Sequence, residues 1–169
     1  MACVLTLVVA DVTNNQLHYI HIGDTRLYLL REKSLVKLTK DQSFVGFLED
    51  SGRITEEAAM KHPKRNEINK ALGFDPGIRD HEDYFEYGSS PFLPGDTLLL
   101  CSDGLTDMVG SALITSILTT DQPIEQKCKA LIDAANMAGG KDNVTAVIVQ
   151  NAKERLKQRI TKPRSEKKK

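Results

Sequence analysis

Apolar and polar positions along the chain fall into three zones. The first, from Cys3 to Leu38, reads as strands. Cys3–Ala10 (CVLTLVVA) is apolar and β-branched, the pattern of a buried strand. Asn14-Asn15 is turn chemistry. In Leu17–Ile22, Leu17, Tyr19 and His21 alternate with His18, Ile20 and Ile22, so both faces of that strand are partly covered. Gly23-Asp24 interrupts, and Arg26–Leu30 and Leu35–Leu38 resume as strands. Such short connections predict antiparallel pairing.

The second zone is helical. Phe44, Val45, Phe47 and Leu48 have helical spacing within 41–50, and Gly52 ends that helix. Thr55 stands before Glu56-Glu57-Ala58-Ala59-Met60 as an N-cap with acids in the first turn, and Pro63 stops the helix. A further short helix is predicted over Asn66–Leu72. The third zone opens with a weak strand at Asp83–Tyr87 and a Pro94-Gly95 turn, followed by a buried strand, Thr97–Cys101. Ser111–Leu118 and Ile124–Ala138 have helical periodicity, and Ile124, Cys128, Leu131, Ile132 and Ala135 share one face. Asn143–Val149 (NVTAVIV) is the last buried strand.

Charge divides the chain differently. Its net charge is zero over 169 residues, yet residues 1–150 hold 14 Lys/Arg against 21 Asp/Glu, and residues 151–169 hold 9 against 2. The first part is an acidic domain, unsuited to nucleic-acid binding by charge. The second is a basic tail, expected to be flexible. The longest apolar run, 2–10, falls well short of the ~20 residues of a membrane span and lacks the basic flank of a signal peptide. Cys3, Cys101 and Cys128 form no CxxC pair, which points to reduced thiols and a cytoplasmic location.

Three aspartates carry the candidate chemistry. Asp24 follows Ile22-Gly23, Asp103 follows the strand Thr97–Cys101 and precedes Gly104, and Asp142 precedes the last strand. Each lies at a sharp turn beside an apolar strand, where an unpaired carboxylate is costly. Converging carboxylates repel one another, and a hard divalent cation with oxygen ligands relieves that repulsion. Each aspartate alone is equally at home as a turn former, and spacing leaves both readings open. Asp96 completes the Pro94-Gly95 turn, and Asp107 sits in a first helical turn. Ser102 lies in no GxSxG elbow, and neither a phosphate loop nor a GxGxxG motif is present.

Ordered motifs add a resemblance. Ile22-Gly23-Asp24-Thr25-Arg26, Leu38-Thr39-Lys40-Asp41-Gln42-Ser43, Gly52-Arg53-Ile54-Thr55-Glu56-Glu57-Ala58, His62-Pro63-Lys64-Arg65-Asn66 and Lys70-Ala71-Leu72-Gly73 occur in that sequence. Pro94-Gly95-Asp96, Leu99 to Asp107 (LLCSDGLTD) and Gly139 to Thr145 (GGKDNVT) follow. Together they resemble the bacterial metal-dependent protein serine/threonine phosphatases of type 2C, over nearly all of residues 1–150.

The resemblance implies an α+β fold, two antiparallel sheets packed as a sandwich flanked by helices (αββα), with a helical flap at about 41–72. It implies hydrolysis of phosphoserine and phosphothreonine in proteins by metal-activated water, without a protein nucleophile. It implies Mn²⁺ or Mg²⁺ at a binuclear centre to which Asp103 and Asp142 contribute, and a third ion at Asp24 and Asp103. The family's Asp-Gly-x-Gly-Gly motif, whose aspartate bridges the metals, does not occur here. The expected chain is therefore an N-terminally incomplete domain with half a metal site, poor in activity alone, and able to self-associate through exposed sheet. A non-catalytic module of the same fold, binding a protein or phosphoprotein partner, is the alternative.

Overall fold

The structure is a computed structural model that describes residues 1–74, 77–78 and 81–152. Two antiparallel sheets form from the expected strands, but the first and last of them are not buried as expected: Leu7 and Val9 are 52% and 59% exposed, Val147 and Val149 49% and 38%. In the first sheet β1 (Leu5–Asp11) pairs with β2 (Gln16–Ile22), and β2 pairs with β5 (Glu86–Pro91). In the second the order is β4 (Ser34–Lys37), β3 (Arg26–Arg31), β6 (Thr97–Cys101) and β7 (Ala146–Gln150).

The central strands of the second sheet, β3 and β6, are covered on both faces, which is why they read as near-continuous apolar runs. Leu98 and Leu100 of β6 face the first sheet, where Leu17, Leu27, Leu29 and Phe92 complete the layer with Val8 and Tyr19. Leu99 and Cys101 face the other way, with Tyr28 and Leu30. They pack under α3 (Asp103–Thr106), α4 (Ser111–Leu118) and α5 (Ile124–Met137) through Leu105, Ile114, Leu118, Leu131 and Ala135.

The middle zone is the expected helical excursion. α1 (Phe44–Asp50) is capped by Ser43, whose Oγ accepts from the Gly46 N–H at 2.9 Å. α2 (Glu56–Met60) is capped by Thr55, whose Oγ1 accepts from the Ala58 N–H at 3.2 Å. Beyond α2 the expectation of a helix at Asn66–Leu72 fails. Ile68 bridges to Ser43 and Leu72 to Cys3, so this stretch spends its backbone hydrogen bonds on neighbours rather than on itself. The strand expected at Asp83–Tyr87 starts instead at Glu86, after a 3-10 turn over Glu82–Tyr84. The last strand begins at Ala146, because residues 143–145 bond to Ser102.

Asn151 is buried and tied to the core, its side-chain amide donating to the Phe92 carbonyl at 2.8 Å. The rest of the expected basic tail, 153–169, lies outside the described residues. Among the described residues no helix is long and apolar enough to cross a membrane, and all three cysteines are free thiols.

Candidate metal centre

Asp24 sits where the chain leaves β2. The turn depends on Gly23, which has φ +106° and a Cα so close to Val4 that an added Cβ would lie 2.2 Å from it. Gly23 N–H donates to Gln42 Oε1 at 2.9 Å, and Gln42 N–H donates back to the Gly23 carbonyl at 2.7 Å. Asp24 is thereby held against the start of the helical excursion.

Asp103 opens α3 directly after β6, and its Oδ1 accepts from the Gly104 N–H at 2.9 Å. Gly104 is the contact point with the Asp142 loop, since a Cβ there would stand 2.3 Å from the Asn143 carbonyl oxygen. Ser102 ties the same loop down. Its Oγ donates to the Asn143 carbonyl at 3.1 Å and accepts from the Thr145 N–H at 3.0 Å. Its role here is architectural. Asp142 is exposed, and its Oδ1 accepts from the Asn143 N–H at 2.7 Å.

The three aspartates do not meet at one point. Asp24 and Asp103 line one cavity together with Asp41 and Asp107. Asp142 lines the adjoining cavity, with Gly104, Lys141 and Asn66. Asp107 and Arg65 belong to both. Among the described residues no set of three or more His, Cys, Asp or Glu is placed to hold a metal ion.

In the first cavity Arg26 pairs with Asp41 and Glu49 and Arg65 with Asp107, whereas among the described residues Asp24 and Asp103 have no cation partner. Burial, then the neighbouring carboxylates of Asp103 and Asp41, push the Asp24 carboxyl up to about 6. Burial and Asp103 also raise Asp107, against the pull of Arg65, whose Nε donates to Asp107 Oδ2 at 3.0 Å. The cation nearest to Asp24 in sequence gives no relief. Arg26 is committed to Asp41, with Nη2–Oδ2 at 2.6 Å, and to Glu49, with Nη2–Oε2 at 2.8 Å. Among the described residues no cation pairs with Asp24.

α2 and the segment after it form the cavity's other wall through Glu56, Ala59, Met60 and Arg65. Two residues, Arg65 and Glu56, hold that wall to the helical layer. Arg65 pairs with Asp107. Glu56 Oε1 accepts from the Ser111 N–H at 2.7 Å, and its Oε2 accepts from the Ser111 Oγ at 2.8 Å. α4 has Gly110 as its N-cap with no side-chain cap of its own, so Glu56 caps it from 55 residues away.

Sequence reasoning passed over Asp41, Asp107, Glu56 and Arg65 as site residues. Only Asp107 carried a local signal, since it stands four residues after Asp103 on one helical turn. Asp96 is structural, as read. It is buried, pairs with Arg31 at 2.7 Å and accepts from the Leu93 N–H at 2.7 Å.

No family model matches the chain. Individual proteins do. Protein phosphatase PhpP of Streptococcus pneumoniae is 40% identical over 144 residues, which are 85% of this chain and 56% of that protein. The crystal structure of the Mycobacterium tuberculosis serine/threonine phosphatase PstP/Ppp superposes with TM-score 0.74 at 38% identity, covering 89% of this chain and 60% of that one. A second structure, the catalytic domain of PstP in complex with two manganese ions, gives TM-score 0.71 at 37% identity over 88% and 58%. Sandwich, motifs and relatives agree on the class: a bacterial type 2C protein serine/threonine phosphatase fold. The chain is similar to members of that family over about 85% of its own length, and it spans a little over half the length of the curated relatives it matches.

Proposed function

We propose that this chain is part of a metal-dependent phosphatase domain that hydrolyses phosphoserine and phosphothreonine in proteins. The observation that carries the reading is the cavity that Asp24 and Asp103 line with Asp41 and Asp107, where Arg26 is committed to Asp41 and Glu49 and Asp24 is left without a cation partner among the described residues. Its donors fit Mn²⁺ or Mg²⁺. They are all oxygen, and such ions are commonly held by one or two carboxylates while keeping several waters. Asp24 and Asp103 would hold one ion, and Asp142, across Gly104, would contribute with Asp103 to the binuclear pair. The PstP complex with two manganese ions supports that choice of metal. Such ions, when bound, lower the pKa of water and offset phosphoryl charge.

The chain's own residues bind and orient. Asp107 holds Arg65 at the boundary of both cavities, where a guanidinium can meet a phosphoryl group. Gly104 and Ser102 fix the Asp142 loop against Asp103. Phosphoproteins are the substrates on this reading, and the free thiols favour a cytoplasmic location.

One observation favours the alternative, a binding module without catalysis: the described residues assemble no three-carboxylate metal group. Titration of the 169-residue chain with Mn²⁺ by calorimetry, with Asp103→Asn beside it, separates the two. Saturable Mn²⁺ binding that Asp103→Asn weakens by roughly tenfold or more, about 1.4 kcal/mol, supports the metal reading. Absence of Mn²⁺ binding, or binding indifferent to Asp103, overturns it.

A further inference from the structure

One titratable side chain is buried close in sequence to Asp24 yet lines neither cavity. His21 of β2 is wholly buried, and both of its ring nitrogens are within hydrogen-bonding distance of a polar group. Nε2 lies 3.1 Å from the Gly23 carbonyl oxygen, and Nδ1 lies 2.9 Å from Thr6 Oγ1, its register partner on β1. Thr6 Oγ1 in turn is 2.7 Å from Thr25 Oγ1. These partners fix the hydrogens. A carbonyl only accepts, so Nε2 carries the ring hydrogen. Burial pushes the proton affinity of the ring down, against the opposing pull of Glu86, the Gly23 carbonyl, Asp41 and the Lys40 carbonyl. The ring is then neutral above about pH 7, and Nδ1 is an acceptor. Thr6 therefore donates its one hydroxyl hydrogen to Nδ1, and Thr25 donates its own to Thr6. This order alone satisfies all three contacts.

The bonds close around Asp24. The Gly23 carbonyl and the Asp24 N–H share one planar peptide unit, so His21 grips the unit that enters Asp24. Through Thr6 it also reaches Thr25, the residue that follows. The same Gly23 carbonyl accepts from the Gln42 N–H at 2.7 Å, which occupies its second lone pair. This peptide depends on outside bonds, because Gly23 at φ +106° has no Cβ to restrict its rotation. An apolar side chain would be easier to bury at position 21, since a polar group in a dry interior is costly without partners. We propose that His21, as the Nε2–H tautomer, is a positioning residue for Asp24: it locks the turn so that the Asp24 carboxylate stays in the cavity it shares with Asp103, where a divalent cation can be received. The lock has a physical reason. Burial and the charges of Asp103 and Asp41 disfavour a carboxylate there, so an unrestrained turn would relax toward water when no cation is bound. The inference rests on the metal reading under Proposed function, and it assigns His21 no contact with metal or substrate.

The test uses the whole 169-residue chain at pH 7.5, with Mn²⁺ alone as the probe. Long-range proton–nitrogen spectra of the metal-free protein should show the His21 ring as Nε2–H with an acceptor Nδ1. Calorimetry should give Mn²⁺ binding that His21→Leu weakens at least roughly tenfold, about 1.4 kcal/mol. His21→Gln should restore most of that loss, because its amide N–H can donate to the Gly23 carbonyl as the ring does. Affinity is measured where circular dichroism shows every variant folded. A purely structural histidine would then change the urea midpoint and leave the Mn²⁺ affinity alone. Should His21→Leu fail to fold, Thr6→Val tests the same bonds from a half-buried position of β1. It removes the donor to Nδ1 and should weaken Mn²⁺ binding in the same direction. An Nδ1–H tautomer overturns the proposal. So do Mn²⁺ affinity indifferent to these substitutions and equal losses in the leucine and glutamine variants. A wild-type chain that binds no Mn²⁺ overturns the metal reading together with this role, whereas binding that is untouched at His21 overturns this inference alone.

Discussion

Replacing Asp24 by asparagine in metal-free protein should raise stability at pH 8. The native cavity lifts this carboxyl from the ordinary 3.8 to about 6 through burial and the charges of Asp103 and Asp41. Between those values the folded state holds a proton more tightly than the unfolded state. The contribution of Asp24 therefore favours folding below about pH 4, is lost as pH rises through 6, and is a constant penalty above. At 1.36 kcal/mol per unit, the rise corresponds to about 3 kcal/mol. Water and counter-ions at the open side of the cavity screen part of it, leaving about 1–3 kcal/mol. Urea unfolding of wild type and Asp24→Asn, in EDTA, should show the variant more stable by that amount at pH 8. The difference should close toward pH 4. Buried His21, whose pKa is pushed down by burial, loses stability below 6.5 in both proteins and cancels in the difference. Adding Mn²⁺ at a hundred times its dissociation constant should stabilise wild type by about 2.7 kcal/mol and the variant by much less. A variant that is equal to or less stable than wild type at pH 8, or a difference that does not change with pH, would refute the electrostatic argument.

Gly104→Ala should cost about 1–3 kcal/mol, because its Cβ would overlap the Asn143 carbonyl. An unchanged urea midpoint would show that the 142–145 loop moves aside freely. Glu56→Ala should remove the side-chain cap at the N-terminus of α4 and lower stability by about 1 kcal/mol. Amide exchange should quicken at Ser111 and across α2 together, whereas quickening at Ser111 alone would deny the latch. The 169-residue chain should turn over phosphopeptides very slowly even in millimolar Mn²⁺, since Asp24 and Asp103 line one cavity and Asp142 the adjoining one. Metal-dependent turnover at rates typical of enzymes, about 1 s⁻¹ or more, would contradict that.

The elements were largely legible in the sequence because their signals are local. Alternation in Leu17–Ile22, with His18 outward and His21 inward, needs only the two-residue period of a strand. Thr55 caps α2 because a hydroxyl reaches an amide three residues on. The ordered motifs around Asp24, Asp103 and Asp142 named the family. Where local signals competed with distant partners, the reading failed. Asn66–Leu72 has helical spacing, but Ser43 and Cys3 take its backbone bonds. Only the tertiary structure decided that Asp24 shares a cavity with Asp103 while Asp142 lies next door, that Glu56 caps a helix 55 residues away, and that Val147 and Val149 stay exposed. A carboxyl's proton affinity, a helix cap and the burial of a valine depend on which distant groups come within a few ångströms. That distance is set by the packing of both sheets and cannot be read from spacing along the chain.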